Sequence, residues 1–147
     1  MNLTDKLENV SRLGIDSGIL IYLIEENEKY IDELVKMARK ITEGQITAIS
    51  ASLTLTEVLV KPLKNKNIEL FDTYHKILRY STGFDLVNLT PEIATRAAQI
   101  RADYNLKPPD AIILATALES NCQAFLTNDK QFQQIKEIDI LLLDELV

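Results

Sequence analysis

Short apolar runs and helical patterns alternate along the whole chain, and a chain with that rhythm has few ways to bury itself. Arg12-Leu13-Gly14-Ile15 reads as a strand leading into Asp16, and Ile19 to Glu26 reads as a helix. Ile31, Leu34, Val35, Ala38 and Ile41 recur at helical spacing, and Gly44 stands where such a helix ends. Gln45 to Ile49 reads as the second strand. A helix is expected from about Thr54, kinked or stopped near Pro62, and another from Ile68 to Tyr80. Phe84 to Leu89 reads as a strand. Thr90-Pro91-Glu92 then supplies the cap, the proline and the first-turn acid of a helix running to about Tyr104. Pro108-Pro109-Asp110 opens a further helix. Cys122 to Leu126 reads as a strand, Asp129 to Lys136 as a short helix and Ile138 to Leu143 as the last strand.

This order predicts an α/β/α sandwich with a mostly parallel sheet of about five strands. The segment Ala111-Ile112-Ile113-Leu114-Ala115-Thr116-Ala117-Leu118 is apolar nearly all round, so its helix is buried. Asp110 at its head therefore sits at the edge of the core. The chain has 147 residues, and domains hold roughly 100–200, so residues 1–147 are read as one domain. With 46% hydrophobic and 26% charged residues, the chain is neither disordered nor of low complexity.

The scarce residues narrow the chemistry. One cysteine, Cys122, excludes an internal disulfide, and one histidine, His75, excludes zinc motifs that need two. No phosphate-cradling glycine motif is present. The net charge of −6 excludes electrostatic binding of nucleic acid over the whole surface, leaving a local basic patch or bound metal ions. No apolar run approaches the ~18 residues of a membrane span, so no membrane partner is expected. Met1 to Glu8 lack the basic-then-apolar order of a secretory signal, so a cytoplasmic location is expected.

Acids gather where such folds work. Open parallel sheets bind ligands beyond the carboxyl ends of their strands. Asp16 follows the first strand, and Asp129 follows Thr127-Asn128 after the strand ending at Leu126. Glu57 lies early in the helix after the second strand, and Asp110 opens the buried helix. An oxygen-only cluster suits Mg²⁺ or Mn²⁺. Taken singly, each acid also has a structural reading. Asp16 before Ser17-Gly18 reads equally as a helix cap, and Asp110 as a partner for a helix dipole. Thr54-Leu55-Thr56-Glu57 fits a capping box, and Thr127-Asn128-Asp129 fits a turn and cap.

Four stretches carry a family resemblance: Ile15 to Leu23, Ser50 to Leu59 around Thr56-Glu57, Leu106-Lys107-Pro108-Pro109-Asp110-Ala111, and Phe125-Leu126-Thr127-Asn128-Asp129. In this order and spacing the chain resembles the PIN-domain superfamily, and within it the VapC-type toxin ribonucleases. The resemblance implies a Mg²⁺- or Mn²⁺-dependent endoribonuclease, a hydrolase in which water attacks phosphorus and the 3′-oxygen leaves. It makes Asp16, Glu57, Asp110 and Asp129 the acidic quartet, with Asp16 and Asp110 the principal metal ligands. It makes Ser17 and Asn128 polar neighbours of the site. At Gly18, where many relatives have Asn, a side chain able to contact phosphate is missing. It also implies a role as the toxin of a type II toxin–antitoxin pair, with an RNA substrate, a small antitoxin protein and a homodimer.

Lys61, Lys64 and Lys66 cluster after the Glu57 helix, and Lys61 and Lys64 are the candidate RNA phosphate contacts. Ile19, Leu20, Leu23, Ile24, Ile31 and Leu34 exceed what one core of this size needs, which suits a partner surface. The alternative reading is a catalytically silent PIN-like module that binds RNA or protein. A receiver-like domain would need adjacent acids after the first strand, and Leu13-Gly14-Ile15-Asp16-Ser17 offers one. A haloacid-dehalogenase-type phosphatase would need an acid at position 18, which is Gly.

Overall fold

A computed structural model describes residues 1–147. Five strands form one all-parallel sheet: β1 (Arg12–Ile15), β2 (Thr47–Ala51), β3 (Phe84–Val87), β4 (Ala124–Thr127) and β5 (Asp139–Leu142). Their order across the sheet is β3-β2-β1-β4-β5. The helices are α1 (Leu3–Lys6), α2 (Ser17–Ile24), α3 (Ile31–Thr42), α4 (Leu53–Val58), α5 (Val60–Lys64), α6 (Ile68–Tyr80), α7 (Pro91–Tyr104) and α8 (Pro108–Glu119). Short 3-10 turns cover Lys130–Gln134 and Leu143–Glu145. No helix is long and apolar enough to cross a membrane.

The strands alternate their side chains between two cores. Leu13, Ile15, Ala124 and Leu126 point into one, with Ile19, Leu20, Leu34, Ile41 and Tyr74 from α2, α3 and α6. Ala51 and Phe125 point into the other, with Ile93, Ala97 and Ile100 of α7 and the apolar body of α8. Between them, α8 lies so close to β1 that a Cβ on Gly14 would stand 2.6 Å from Ala117 Cβ and 2.9 Å from the Phe125 ring. The absence of a side chain at position 14 is what lets the buried helix settle on the strand. The one polar group inside α8, Thr116 Oγ1, donates back to Ile112 O at 2.7 Å. That bond satisfies it without a partner from outside the helix.

Several element bounds move from the sequence expectation. Gly44 adopts φ +81°, and the chain turns back through Gln45, whose N–H donates to Lys40 O, so β2 begins at Thr47. The helix after β2 breaks at Leu59, not near Pro62. Pro62 sits in the first turn of α5, where its missing N–H costs nothing. The helix expected over 129–136 is a 3-10 turn. A four-residue α1 was not expected. Asn2 and Asp5 cap it reciprocally, and Leu3 N–H donates to Leu146 O, which joins the two ends of the chain.

The strand order creates the site. From β1 the chain goes to β2 and β3 on one side, then returns to place β4 on the other side of β1. Between β1 and β4 the connections depart in opposite directions, which opens a crevice at the carboxyl ends of those strands. Ile15 pairs with Leu126, and Asp16 N–H donates to Leu126 O at 3.0 Å. The two residues that leave this crevice are therefore Asp16 and Thr127.

Candidate active site

Asp16 caps α2, and its carboxylate is fixed from two sides. Oδ1 accepts from Ser17 N–H at 2.9 Å, and Oδ2 accepts from Thr127 Oγ1 at 2.7 Å. Thr127 is fully buried, and its Oγ1 also accepts from Asp129 N–H at 3.0 Å. Asp129 caps the following 3-10 turn: Oδ1 accepts from Gln131 N–H at 3.0 Å. The Gln131 side-chain Nε2 donates to Asp129 Oδ2 at 2.6 Å and to Asp110 Oδ2 at 3.0 Å. On the far side of Asp16, Ser17 Oγ donates to Glu57 Oε1 at 2.6 Å and lies 3.1 Å from Thr54 Oγ1. One continuous run of neighbouring bonds thus passes Glu57, Ser17, Asp16, Thr127, Asp129, Gln131 and Asp110. All four acids stand on it.

The acids differ in environment. Burial pushes the Asp16 carboxyl up to about 6. The bonds from Thr127 and Ser17 pull it down, and the charges of Asp110 and Glu57 push it further up. Burial also raises Asp110, helped by the charge of Asp129 and opposed by the Gln131 bond and the charge of Lys107. Glu57 and Asp129 are exposed. The ion pairs of the molecule are Lys29–Asp144, Lys36–Glu33 and Arg96–Glu119, and none includes the quartet. As they stand, no three His, Cys, Asp or Glu side chains close on one point.

The cap readings separate here. Asp16 and Asp129 do cap their helices, and Asp110 does lie in the first turn of α8. The capping box at Thr54–Glu57 does not form. Ser52 is the residue before α4 and makes no side-chain cap, Thr54 is buried within the helix, and Glu57 is near its C-terminal end. Its carboxylate is taken by Ser17 from another element. Asn128, expected beside the acids, turns elsewhere. Its Nδ2 donates to Tyr30 OH at 3.0 Å, and its Oδ1 accepts from Asp144 N–H at 2.9 Å. It therefore braces the end of β4 against α3 and the last turn. Lys61 and Lys64 are exposed on α5, directly after the helix that carries Glu57.

Two residues of this site escaped sequence reasoning. Thr127 reads as turn chemistry, although a hydroxyl at the last buried position of a strand before an acid was a usable signal. Gln131 carries no local signal, because its bond to Asp110 spans 21 residues.

Comparison with known proteins adds the family. The PIN domain family model matches residues 14–138. A structure of VapBC2 from Rickettsia felis bound to a promoter DNA fragment superposes with a TM-score of 0.70 at 14% identity, covering 89% of this chain and 98% of that one. A toxin–antitoxin complex from Klebsiella pneumoniae superposes with a TM-score of 0.63 at 25% identity, covering 90% and 98%. FitAcB from Neisseria gonorrhoeae gives 0.68 at 17% identity, covering 92% and 99%. Among curated proteins, none matches the sequence.

Proposed function

The chain belongs to the PIN-domain family, and from that premise we propose that it is a metal-dependent endoribonuclease, the VapC-type toxin of a toxin–antitoxin pair. The observation that carries this reading is the bonded run through Glu57, Asp16, Asp129 and Asp110 at the crevice between β1 and β4, with no cation paired to any of them. The donors fit a hard divalent ion. All are oxygens, they repel one another, and burial, with the charges of Asp110 and Glu57 adding to it, pushes the Asp16 carboxyl up to about 6. Asp16 and Asp110 are the principal ligands, with Glu57 and Asp129 completing the set. Mg²⁺ or Mn²⁺ bound there supplies charge stabilisation at phosphorus and acidifies a water.

The chain's own residues prepare that chemistry. Thr127 and the Ser17 N–H fix both oxygens of Asp16, so its carboxylate does not reorganise on loading. Ser17 Oγ holds Glu57 toward the crevice. Lys61 and Lys64 supply phosphate contacts to RNA that the acidic surface otherwise repels.

RNA cleavage by the purified chain tests this reading. Cleavage is expected with Mg²⁺ or Mn²⁺ and none with chelator. Asp110→Asn keeps the shape but removes a charge, and turnover should fall at least about a hundredfold. Wild-type turnover in that variant would overturn the assignment. The structures of toxin–antitoxin complexes among its neighbours support a small antitoxin as the partner. That partner is sought by co-expression with the adjacent reading frame, and the homodimer by light scattering.

A further inference from the structure

Gln131 occupies the place between two acids where a positive charge would be most welcome. Its Nε2 stands 3.0 Å from Asp110 Oδ2 and 2.6 Å from Asp129 Oδ2. A carboxamide facing two carboxylate oxygens must present its NH₂ group, because its carbonyl oxygen would meet lone pairs on both sides. Both amide protons are therefore spent on the two acids. Hydrogen bonds to ionised acceptors are roughly twice as strong as neutral ones, so this uncharged side chain does part of a cation's work. Its backbone N–H adds a third bond, to Asp129 Oδ1, which anchors the turn while leaving the side chain free to move. Gln131 is half-buried, so its side chain can leave without disturbing a core.

Resting on the reading of the acids given above, we propose that the Gln131 carboxamide is a clasp on the metal-free site. It holds Asp110 and Asp129 together while no cation is bound. It competes with a divalent cation for the same oxygens, and so it sets the affinity of the site. The amide and a metal ion draw on the same two oxygens, Asp110 Oδ2 and Asp129 Oδ2, and a cation seated between them meets the NH₂ group already there. Loading the site exchanges two amide bonds for metal–oxygen bonds and releases the side chain. Gln131 is a positioning residue, since it acts only through Asp110 and Asp129.

The test is a calorimetric titration of metal-free protein with MnCl₂, with bound Mn²⁺ counted by electron paramagnetic resonance. Each protein is also melted in EDTA. Gln131→Met keeps the length of the side chain and removes its donors. It should bind Mn²⁺ about tenfold more tightly than wild type and melt lower in EDTA, because the metal-free form alone loses its bonds. Gln131→Glu puts a third carboxylate in the same place. It should bind tighter still and melt lower still without metal. Wild-type Mn²⁺ affinity in the Met variant would overturn the proposal and leave Gln131 a turn residue. Weaker binding would also overturn it, by making the amide oxygen a ligand. Asp110→Asn separates this from the underlying reading. If wild type shows no Mn²⁺ binding that Asp110→Asn removes, the cation site itself fails, and the clasp with it. If that binding is present and the Gln131 variants do not tighten it, only the clasp fails.

Discussion

Burial pushes the Asp16 carboxyl up to about 6 from an ordinary 3.8, against the Thr127 and Ser17 bonds that favour its ionised form. The consequence for stability has a definite sign. Below about pH 3.8 both folded and unfolded chains hold the proton. Between 3.8 and about 6 only the folded chain holds it. Asp16 therefore lends the metal-free protein stability at low pH that is lost as pH rises through about 6, some ~3 kcal/mol in all. Asp16→Asn should remove this dependence and melt higher than wild type at pH 7 in EDTA. Urea unfolding of both proteins at several pH values between 4 and 7 reads it directly. A variant weaker by ~1 kcal/mol at pH 7 would instead mark Asp16 as a helix cap and nothing more. Three of the acids were placed by local pattern, since Asp16 follows β1, Asp129 follows β4 and Asp110 opens α8; Glu57, expected early in its helix, lies near the end of α4. Their connectors were not. Thr127 looks like turn chemistry, and the partners of Gln131 lie on another element. Asn128 looked like a site residue and spends its side chain on Tyr30 and Asp144.

Among the elements, periodicity was a good guide wherever it ran for three turns or more. α6 spans Ile68–Tyr80 as its apolar spacing predicts, and α7 begins behind Thr90, whose side chain accepts from Ile93 N–H. Short elements escaped. α1 is four residues long and has no period to read, and the break at Leu59 divides one helical pattern into two pieces. At Thr54–Glu57 the capping pattern does not form because α4 starts at Leu53, which puts Thr54 inside the helix and Glu57 near its end, where Ser17 bonds it. Gly14 shows how one residue governs two elements. Adding a methyl in Gly14→Ala would force Ala117 and Phe125 apart, at a cost of about 1–3 kcal/mol in a packed core. Chemical denaturation should show that loss, and unchanged stability would contradict the close seating of α8 on β1.

For the whole molecule, the alternation of apolar runs and helices was enough to expect a parallel sheet of about five strands, and the sheet has five. The order of those strands has no local signature. Only the fold sets β4 beside β1 and brings Thr127 against Asp16. The surplus of apolar residues near the N-terminus was partly misread. Ile19, Leu20 and Leu34 are fully buried in the core, while Leu23, Ile24 and Ile31 line a groove of ≈ 350 Å³ between α2, α3 and α6, with Val35 41% exposed beside them. In a chain of net charge −6, four carboxylates along one crevice, none of them in an ion pair, should cost stability at that point. A cation bound only by the folded state should return it. Thermal melts of wild type and Asp110→Asn, each in EDTA and in excess Mn²⁺, test that claim most directly. At a hundredfold excess over its dissociation constant, Mn²⁺ should stabilise wild type by about 2.7 kcal/mol, a rise in Tm of about 5–10 °C for a domain this size. Asp110→Asn should melt no lower than wild type in EDTA and gain little from the metal. No Mn²⁺ shift in wild type, with a lower metal-free Tm in the variant, would reduce these acids to helix caps and contradict the account.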